Sequence, residues 1–292
     1  MPSTGRAIAV ILSLIVIVAA CSSTGTTPPT RSQLHLFWTN RSTIGRANLD
    51  GTGLDASFIH GLGWPCGIAL DRTHIYWAES GDVGHATAIG RANLDGTAAN
   101  DAFISDAQQP CGVAVDSSHI YWGNWDASHG TTIGRASLDG SSVNPAFITG
   151  ASGASGPAVA GNYLYWTNNS PDGSIGRANL DGSGVNQTFI RAGRYPFGVV
   201  VDGLYIYWAN LGSGTIGRAN LDGTGAYQNF ITGADGPAGP AIFSGYIYWA
   251  NGSLGPTFDG TRIGRARLDG SEVNQSFITG AASPSGIAIE QP

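Results

Sequence analysis

The 292-residue chain contains no lysine, and only 12% of its residues are charged. Its 14 basic residues, all arginine, are outnumbered by 20 acidic ones, which gives a formal net charge of −6. Nucleic-acid binding and electrostatic docking on anionic lipid both require a basic footprint, so the composition argues against both functions. Helical periodicity is also missing after the N-terminal segment, and the 44 glycines would penalise helices.

Familiar catalytic motifs are absent from the sequence as well. It has no nucleophile elbow, no phosphate-binding loop and no His-Glu-x-x-His, and no pair of carboxylates stands out from the repeated pattern described below. The repeated Asp-Gly turns lack the alternating oxygen ligands of a calcium loop. We therefore expect no cofactor and no metal ion at these turns.

One octet, Ile-Gly-Arg-Ala-Asn-Leu-Asp-Gly, recurs six times with small changes. Each period holds four short β-type runs separated by glycine-rich turns, and Asp-Gly between two such runs favours a hairpin. Four strands in a period of forty-odd residues are typical of a propeller blade. The copies begin at Ile44, Ile89, Ile133, Ile175, Ile216 and Ile263.

The two ends of the repeat array complement each other. The array begins at residues 34–38 with a second strand, and it stops after residues 286–289, a first strand with nothing following. Pairing these fragments completes one blade and leaves no open edge. Residues 34–292 are thus predicted to form an all-β, six-bladed β-propeller with four antiparallel strands per blade. The C-terminal strand is predicted to pair with the N-terminal blade fragment.

The aromatic strands that precede the octet resemble a known repeat. Ile75-Tyr-Trp-Ala78, Leu164-Tyr-Trp-Thr167 and Ile206-Tyr-Trp-Ala209, each followed by the octet, resemble the YWTD repeat, or low-density lipoprotein receptor class B repeat. The resemblance covers residues 34–290 and implies the six-bladed propeller of that family. The family's aspartate after Tyr-Trp-Thr is asparagine in five copies here and Glu79 in one. Neither charged blade contacts nor receptor functions are therefore carried over, since propellers host unrelated functions.

The N-terminus resembles an export signal. Arg6 precedes an apolar stretch over residues 7–20 that is too short for a comfortable membrane span. The stretch ends at Val18-Ala-Ala-Cys21, which resembles the lipobox of bacterial lipoproteins. We expect a signal peptide over residues 1–20, a lipidated Cys21 and a flexible tether to residue 33. The protein would then lie outside the cytoplasm in the bacterial cell envelope, attached to a membrane only by its acyl chains. An ordinary signal peptide with an incidental cysteine is the alternative.

Residues that recur at one register position are expected to have structural roles. The repeated tryptophans are expected to pack between blades, and the repeated arginines to reach carbonyls or carboxylates of a neighbouring blade. The tryptophans are Trp38, Trp77, Trp122, Trp166, Trp208 and Trp249; the arginines are Arg46, Arg91, Arg135, Arg177, Arg218 and Arg265.

Function is expected where the copies diverge, in loops on a rigid scaffold. The loops after Trp77 and Trp122 share an Asp-x-x-His pattern. This pattern is either a polar loop copied by duplication or part of a ligand or metal patch. The candidate ligand-binding residues, all expected near the channel mouth, are Trp64, Glu79, Asp82, His85, Trp125, Asp126, His129, Tyr195 and Phe197.

Two cysteines occupy equivalent positions in adjacent blades. Cys66 and Cys111 both follow a proline at the predicted start of an innermost strand. Cysteines of exported proteins most often pair, so a disulfide between them is the first candidate. Free thiols and a zinc site shared with His85 and His129 are the alternatives.

Two function classes remain from the sequence. The missing motifs favour a non-enzymatic binding or scaffold module, expected to be a monomer, that presents its loop-bearing face to a protein, peptide or glycan. The alternative is a metal-dependent propeller enzyme of the lactonase or lyase type, with ligands converging at the channel mouth. The predicted innermost strands are mostly Gly, Ala, Val and Ile, however, and Asp71, Asp116 and Asp202 end three of them at the opposite face.

Overall fold

Short β-strands make up the regular structure of the described part of this protein. A computed structural model describes residues 34–81, 87–125, 131–252 and 260–292. These ranges form 24 strands, and no helix within them is long and apolar enough to cross a membrane. The expected signal peptide over residues 1–20, the lipidated Cys21 and the tether to residue 33 lie outside the described residues.

In chain order the strands are β1 His35–Thr39, β2 Thr43–Asn48, β3 Asp55–His60, β4 Pro65–Leu70, β5 His74–Glu79, β6 Ala88–Asn93, β7 Asn100–Ile104, β8 Pro110–Val115, β9 His119–Asn124, β10 Thr131–Ser137, β11 Asn144–Ala151, β12 Ala154–Ala160, β13 Tyr163–Asn168, β14 Ser174–Asn179, β15 Asn186–Arg191, β16 Pro196–Val201, β17 Tyr205–Asn210, β18 Thr215–Asn220, β19 Tyr227–Thr232, β20 Pro237–Phe243, β21 Tyr246–Asn251, β22 Arg262–Arg267, β23 Asn274–Thr279 and β24 Ile287–Ile289.

The strands form six four-stranded antiparallel sheets, which are the blades of a propeller. Blade 1 has the order β24-β1-β2-β3, and blades 2 to 6 follow as β4 to β7, β8 to β11, β12 to β15, β16 to β19 and β20 to β23. The strand that begins each order lies nearest the axis, because β24, β4, β8, β12, β16 and β20 contact one another in a ring. The predicted fold class and blade number are confirmed.

The ring is closed within blade 1. Strand β24 pairs antiparallel with β1, which places Trp38 opposite Ile287 and Leu36 opposite Ile289. Strand β24 also contacts the innermost strands of blades 2 and 6. The last strand of the chain thus completes the blade that the first described residues begin, as the two ends of the repeat array predict.

A belt of backbone contacts fills the axis of the ring. Each blade contributes one glycine to it, from its innermost strand or, in blade 1, from the residue just before β24. A Cβ atom built on Gly67 would lie 2.4 Å from the Cα of Gly112, and one built on Gly156 would lie 2.3 Å from the Cα of Gly198. No side chain fits at such distances. The cavity left beside the belt is about 50 Å³, room for one or two water molecules. The axial glycines are Gly67, Gly112, Gly156, Gly198, Gly239 and Gly286.

The six repeated tryptophans are fully buried. Each ring lies against the glycine of its own octet; a Cβ atom on Gly90, for example, would lie 2.1 Å from the Trp77 ring. Trp77 also packs in one cluster with Phe37 and Ile44 of blade 1. A buried tryptophan of this kind removes on the order of 200 Å² of surface from water. The expectation that these residues pack between blades is confirmed, and it explains the glycine of the octet.

The repeated arginines stack on phenylalanines of their own blade. The guanidinium carbon of Arg91 lies 3.8 Å from the centre of the Phe103 ring, and the other five arginines lie 3.8–4.1 Å from equivalent rings. The turn glycine of the next blade covers each ring; a Cβ atom on Gly140 would lie 2.9 Å from Phe103. The arginine and the Asp-Gly of the octet thus serve the same contact between blades.

The expected arginine bonds to a neighbouring blade occur in two copies. Arg135 donates to the carbonyl of Leu180 and Arg218 to that of Leu268. In the other copies the ring is the main partner, so the expectation was wrong there. A planar guanidinium gains cation–π attraction from a ring that the same sheet already holds in place.

Candidate functional site

The two faces of the ring carry different loops. The mouth face carries the loops that enter the innermost strands and those that join the second and third strands of a blade. The floor face carries the remaining turns. Asp71 lies at the floor, as predicted, where its carboxylate accepts hydrogen bonds from the Tyr76 hydroxyl and the Thr73 backbone N–H. Burial raises the pKa of Asp71, but these hydrogen bonds outweigh burial and hold the pKa below its ordinary value. Such a carboxylate holds a turn.

A cavity of about 240 Å³ opens on the mouth face at the end of the axis. Three aromatic side chains, Trp64, Trp125 and Phe197, contribute to its wall. We call it the mouth cavity. Because most of the wall is apolar carbon, a buried polar group of a ligand would lose its hydrogen bonds to water there without replacement. The rest of the wall includes Asn40, Arg41, Leu211, Ala238 and Pro284.

Two of the aromatic side chains are unusually open to solvent. Trp64 is 42% exposed and Trp125 is 46% exposed, although tryptophan is highly buried on average. The ring centre of Trp125 lies 6.1 Å from that of Phe197, edge to face, and the Arg41 guanidinium carbon lies 5.7 Å from the Trp64 ring centre. Exposed apolar surface rimmed by polar groups is typical of an interaction site.

The backbone that presents Trp64 is strained. At the entry to the innermost strand, one residue has a positive φ in every blade, with values of 69° at Trp64 and 50° at Tyr195. Glycine adopts this conformation freely, whereas a bulky residue pays about 1–3 kcal/mol. Two blades carry glycine there, so the position does not require a side chain. The strain at Trp64 therefore points to a function for its ring. The six residues are Trp64, Gln109, Gly153, Tyr195, Gly236 and Ser283.

A disulfide joins Cys66 to Cys111, with Cα atoms 5.1 Å apart. It connects the innermost strands of blades 2 and 3, and Cys66 lines the mouth cavity. In blade 1 the equivalent Ser285 donates a hydrogen bond to the Cys66 carbonyl at 2.9 Å, and Thr39 donates to the same carbonyl at 3.2 Å. One covalent bond and two hydrogen bonds thus hold blade 2 to its neighbours beside the cavity.

Glu79 lies in the blade interior, not on the mouth surface where it was expected. It is 1% exposed, and its carboxylate accepts a hydrogen bond from the Trp77 indole at 3.0 Å. Glu79 takes the place of the asparagine that joins strands in other blades, as Asn124 does through Thr132 and the Pro145 carbonyl. The expectation that Glu79 belongs to the binding surface is therefore not met, because its strand position points inward.

The remaining candidates fall into two groups. Tyr195 lies on the mouth face, half-buried beside Arg194, whose guanidinium carbon is 6.0 Å from the tyrosine ring centre; it does not line the mouth cavity. The two Asp-x-x-His loops, with Asp82, His85, Asp126 and His129, lie outside the described residues. The structure therefore brings together Trp64, Trp125 and Phe197 from the predicted set.

Arg41 and Leu211 line the mouth cavity but were missed by sequence reasoning. Both follow an asparagine at the mouth end of the second strand of a blade, the register at which blade 3 carries Trp125. Comparing that single register across all copies would have found them. The six residues there are Arg41, Ser80, Trp125, Asn169, Leu211 and Gly252.

The chemistry available at the mouth is that of an apolar recess. Over the described ranges, no three His, Cys, Asp or Glu side chains converge to hold a metal ion. The hydroxyls of Thr39 and Ser285 lie 2.9 Å apart, and both lie within hydrogen-bond distance of the Cys66 carbonyl. The arrangement can enclose an apolar group, and its described residues supply no acid–base pair for catalysis.

Comparison with known proteins supports the repeat and the fold. Residues 162–202 match the family model of the low-density lipoprotein receptor repeat class B, so the YWTD resemblance is confirmed for that segment. No curated protein matches the chain.

Three solved structures are similar in fold. A crystal structure of a nidogen/laminin complex contains a chain that matches with a TM-score of 0.72 and 20% identity, covering 88% of this chain and 98% of that one. A streptogramin B lyase matches with a TM-score of 0.54 and 17% identity, covering 85% and 76%. The virginiamycin B lyase of Staphylococcus aureus matches with a TM-score of 0.51 and 20% identity, covering 76% and 73%. At these identities the likeness shows a shared fold.

Proposed function

We propose that this propeller is a non-enzymatic binding module of the bacterial cell envelope and that the mouth cavity holds part of a protein or peptide ligand. The observation that carries the proposal is the apolar cavity of about 240 Å³ with two tryptophans open to solvent, Trp64 and Trp125, in its wall. Pockets for whole drug-sized ligands run from about 300 to 1,000 Å³. The mouth cavity is suited to one bulky side chain of a larger partner.

The chemistry of the wall favours a protein or peptide over a glycan. A sugar ring carries several hydroxyls, and each would lose water on entering a wall of Trp64, Trp125, Phe197, Leu211 and Pro284. An apolar side chain has no such penalty. Binding hot spots are typically aromatic or apolar anchors that fill a pocket of this kind.

A binding role also agrees with the similar structures. The nidogen propeller that this chain resembles was crystallised in a complex with laminin. A lyase role would need metal ligands converging on the axis, whereas the described residues nearest the axis are glycines such as Gly67 and Gly112. The envelope location rests on the sequence Val18-Ala-Ala-Cys21 after an apolar stretch.

Crosslinking in intact envelopes tests the proposal. A tagged full-length chain is crosslinked to its neighbours, purified under denaturing conditions and compared with a variant carrying Trp64→Gln, Trp125→Asn and Phe197→Ala. These replacements are the residues that blades 3, 4 and 6 carry at the same positions, Gln109, Asn169 and Ala238. The variant is therefore expected to fold. We expect one specific partner to be captured by the parent and lost from the variant.

A control and a metal measurement complete the test. Leu204→Ser on the floor face should leave capture through the mouth unchanged. Equal capture by the parent and the mouth variant would reject the mouth cavity as the site. Stoichiometric zinc or calcium in the purified protein, with an activity that chelation abolishes, would favour the enzyme alternative.

A further inference from the structure

The floor face differs in polarity from blade to blade. The residue just before the second strand is exposed in the floor turn; it is Thr73 in blade 2, Ser118 in blade 3 and Asn162 in blade 4. In blade 5 it is Leu204, which is 71% exposed, more than any other large apolar residue in the described ranges. An isolated exposed leucine is ordinary, so Leu204 indicates an interaction surface only if other apolar residues are exposed near it.

Aromatic residues accompany Leu204. The first residue of the second strand is histidine in blades 1 to 3 and tyrosine in blades 4 to 6, with Tyr163 38% exposed. The first residue of the outermost strand is Asp or Asn in five blades and Tyr227, 57% exposed, in blade 5. We call Tyr163, Leu204, Tyr205 and Tyr227 the floor patch. The three tyrosines lie at the floor ends of strands and Leu204 lies in a floor turn, all in two adjacent blades.

The N-terminal segment joins the ring on the same face. The carbonyl of Leu34 accepts a hydrogen bond from the Leu49 N–H at 3.0 Å, the bond that Thr73 and Ser118 make to Leu94 and Leu138 in their blades. Leu34 thus occupies the floor turn of blade 1. Residues 22–33, which connect this point to Cys21, can span at most about 40 Å when fully extended.

We propose that the floor patch contacts the lipid surface in which Cys21 is anchored, so that the mouth cavity faces away from the membrane. This inference rests on the proposed envelope anchor. Tyrosine suits the membrane interface because its ring is apolar and its hydroxyl remains in contact with water. A tether that holds the floor near the lipid makes the contact intramolecular, so a weak patch suffices.

Charge on the floor selects the kind of lipid. The outer turns of the floor carry one aspartate in each blade, and hydrogen bonds from the serine or threonine two residues on lower the pKa of these carboxyls, as at Asp50 and Asp222. They are negative at neutral pH and repel an anionic surface within a Debye length. The contact should therefore be closer on zwitterionic phosphatidylcholine than on lipid rich in phosphatidylglycerol.

The absence of lysine provides a clean reporter. A single lysine is introduced into the lipidated full-length chain, either on the floor by Asn162→Lys or at the mouth by Gln109→Lys, since both positions are exposed. Each protein is reconstituted on phosphatidylcholine vesicles and labelled with a water-soluble amine-reactive ester. We expect the floor reporter to react several-fold more slowly than the mouth reporter.

A matched variant separates contact from mere tethering. Leu204→Ser with Tyr227→Asn gives blade 5 the residues of blade 3, Ser118 and Asn144, and should raise the rate of the floor reporter to nearly that of the mouth reporter. Equal rates in the parent, or slower labelling at the mouth, would overturn the orientation. Vesicle flotation independently measures whether the lipid anchor attaches the chain to the membrane. A chain that does not float with vesicles would remove the envelope proposal and this inference together, while leaving capture through the mouth cavity to be judged by crosslinking.

Discussion

In each blade, two adjacent positions near the axis differ in how freely their residue varies between blades. At the axis every blade contributes glycine, whereas the residue immediately before it is cysteine twice, serine twice, phenylalanine once and alanine once. The glycines touch backbone to backbone, so no copy can change without moving its neighbours. One residue closer to the mouth, four of the six side chains line the mouth cavity, those of Cys66, Phe197, Ala238 and Ser285. Backbone contact thus fixes one position, and the next is free to acquire a function.

The axial belt should give the largest effect in a direct test of this contrast. Gly67→Ala places a methyl group 2.4 Å from the Gly112 Cα, and overpacking of this kind typically costs 1–3 kcal/mol, so we expect a loss of about 3 kcal/mol. Urea denaturation followed by tryptophan fluorescence measures it. Gly203→Ala is the control, because nothing lies within 4 Å of its Cβ position. Similar losses for both would show that the belt is not tightly packed.

The disulfide should give an effect of similar size. Replacing both Cys66 and Cys111 by serine, the residue that blades 1 and 4 carry at this position, should lower the free energy of unfolding by about 2–4 kcal/mol, since the bridge closes a long loop in the unfolded chain. A reductant should destabilise the parent and leave the double variant unchanged. If the parent reacts with a thiol reagent at both positions after denaturation without reductant, the cysteines are free.

Trp64→Gly should show the opposite behaviour to the axial glycine variant, a loss of binding with little change in stability. The substitution removes an exposed ring and also relieves the left-handed backbone strain at φ 69°, so the two effects offset and stability should change by less than about 1 kcal/mol. Capture of the partner in the crosslinking assay should nevertheless be lost. A large fall in the melting temperature with capture intact would mean that Trp64 serves the fold.

The smallest expected effect is a loss of folding stability at acidic pH. The hydroxyl and backbone N–H of Thr52 lower the pKa of Asp50, and equivalent turns do the same for Asp95, Asp139, Asp181, Asp222 and Asp269. Because the pKa is lowered in the folded state, these aspartates stabilise the protein above the ordinary aspartate pKa of about 4. This stabilisation is lost as the pH falls through the folded-state pKa. Thermal unfolding from about pH 2 to 7 should show this decline. Asp222→Asn should flatten it slightly, and an unchanged profile would contradict the assignment.

The sequence predicted the ring well because six copies repeat the same physical constraints. Trp38 and its equivalents, the octet and the complementary ends each report a contact that every blade makes. The site was predicted less completely because cavity walls depend on which single residues differ. Trp125 was among the candidates because it adjoins a divergent loop, whereas Leu211 at the same register was not, because a single leucine does not by itself indicate a site. Glu79 was misplaced because it adjoins a divergent loop of the mouth face, while its strand position buries it. The stacking of arginine on phenylalanine requires the register between strands β6 and β7, which the sequence does not display.

The closed axis has a consequence for how a ligand comes and goes. With the six glycines in contact, the recess above Phe197 is a dead end, and a bound group has to depart through the opening by which it arrived. Because there is one opening, the lifetime of the bound state depends on the residues that line it, including Arg41 and Trp64. A substitution at the opening should therefore change the association and dissociation rates together, and a ligand cannot pass along the axis from one face of the propeller to the other.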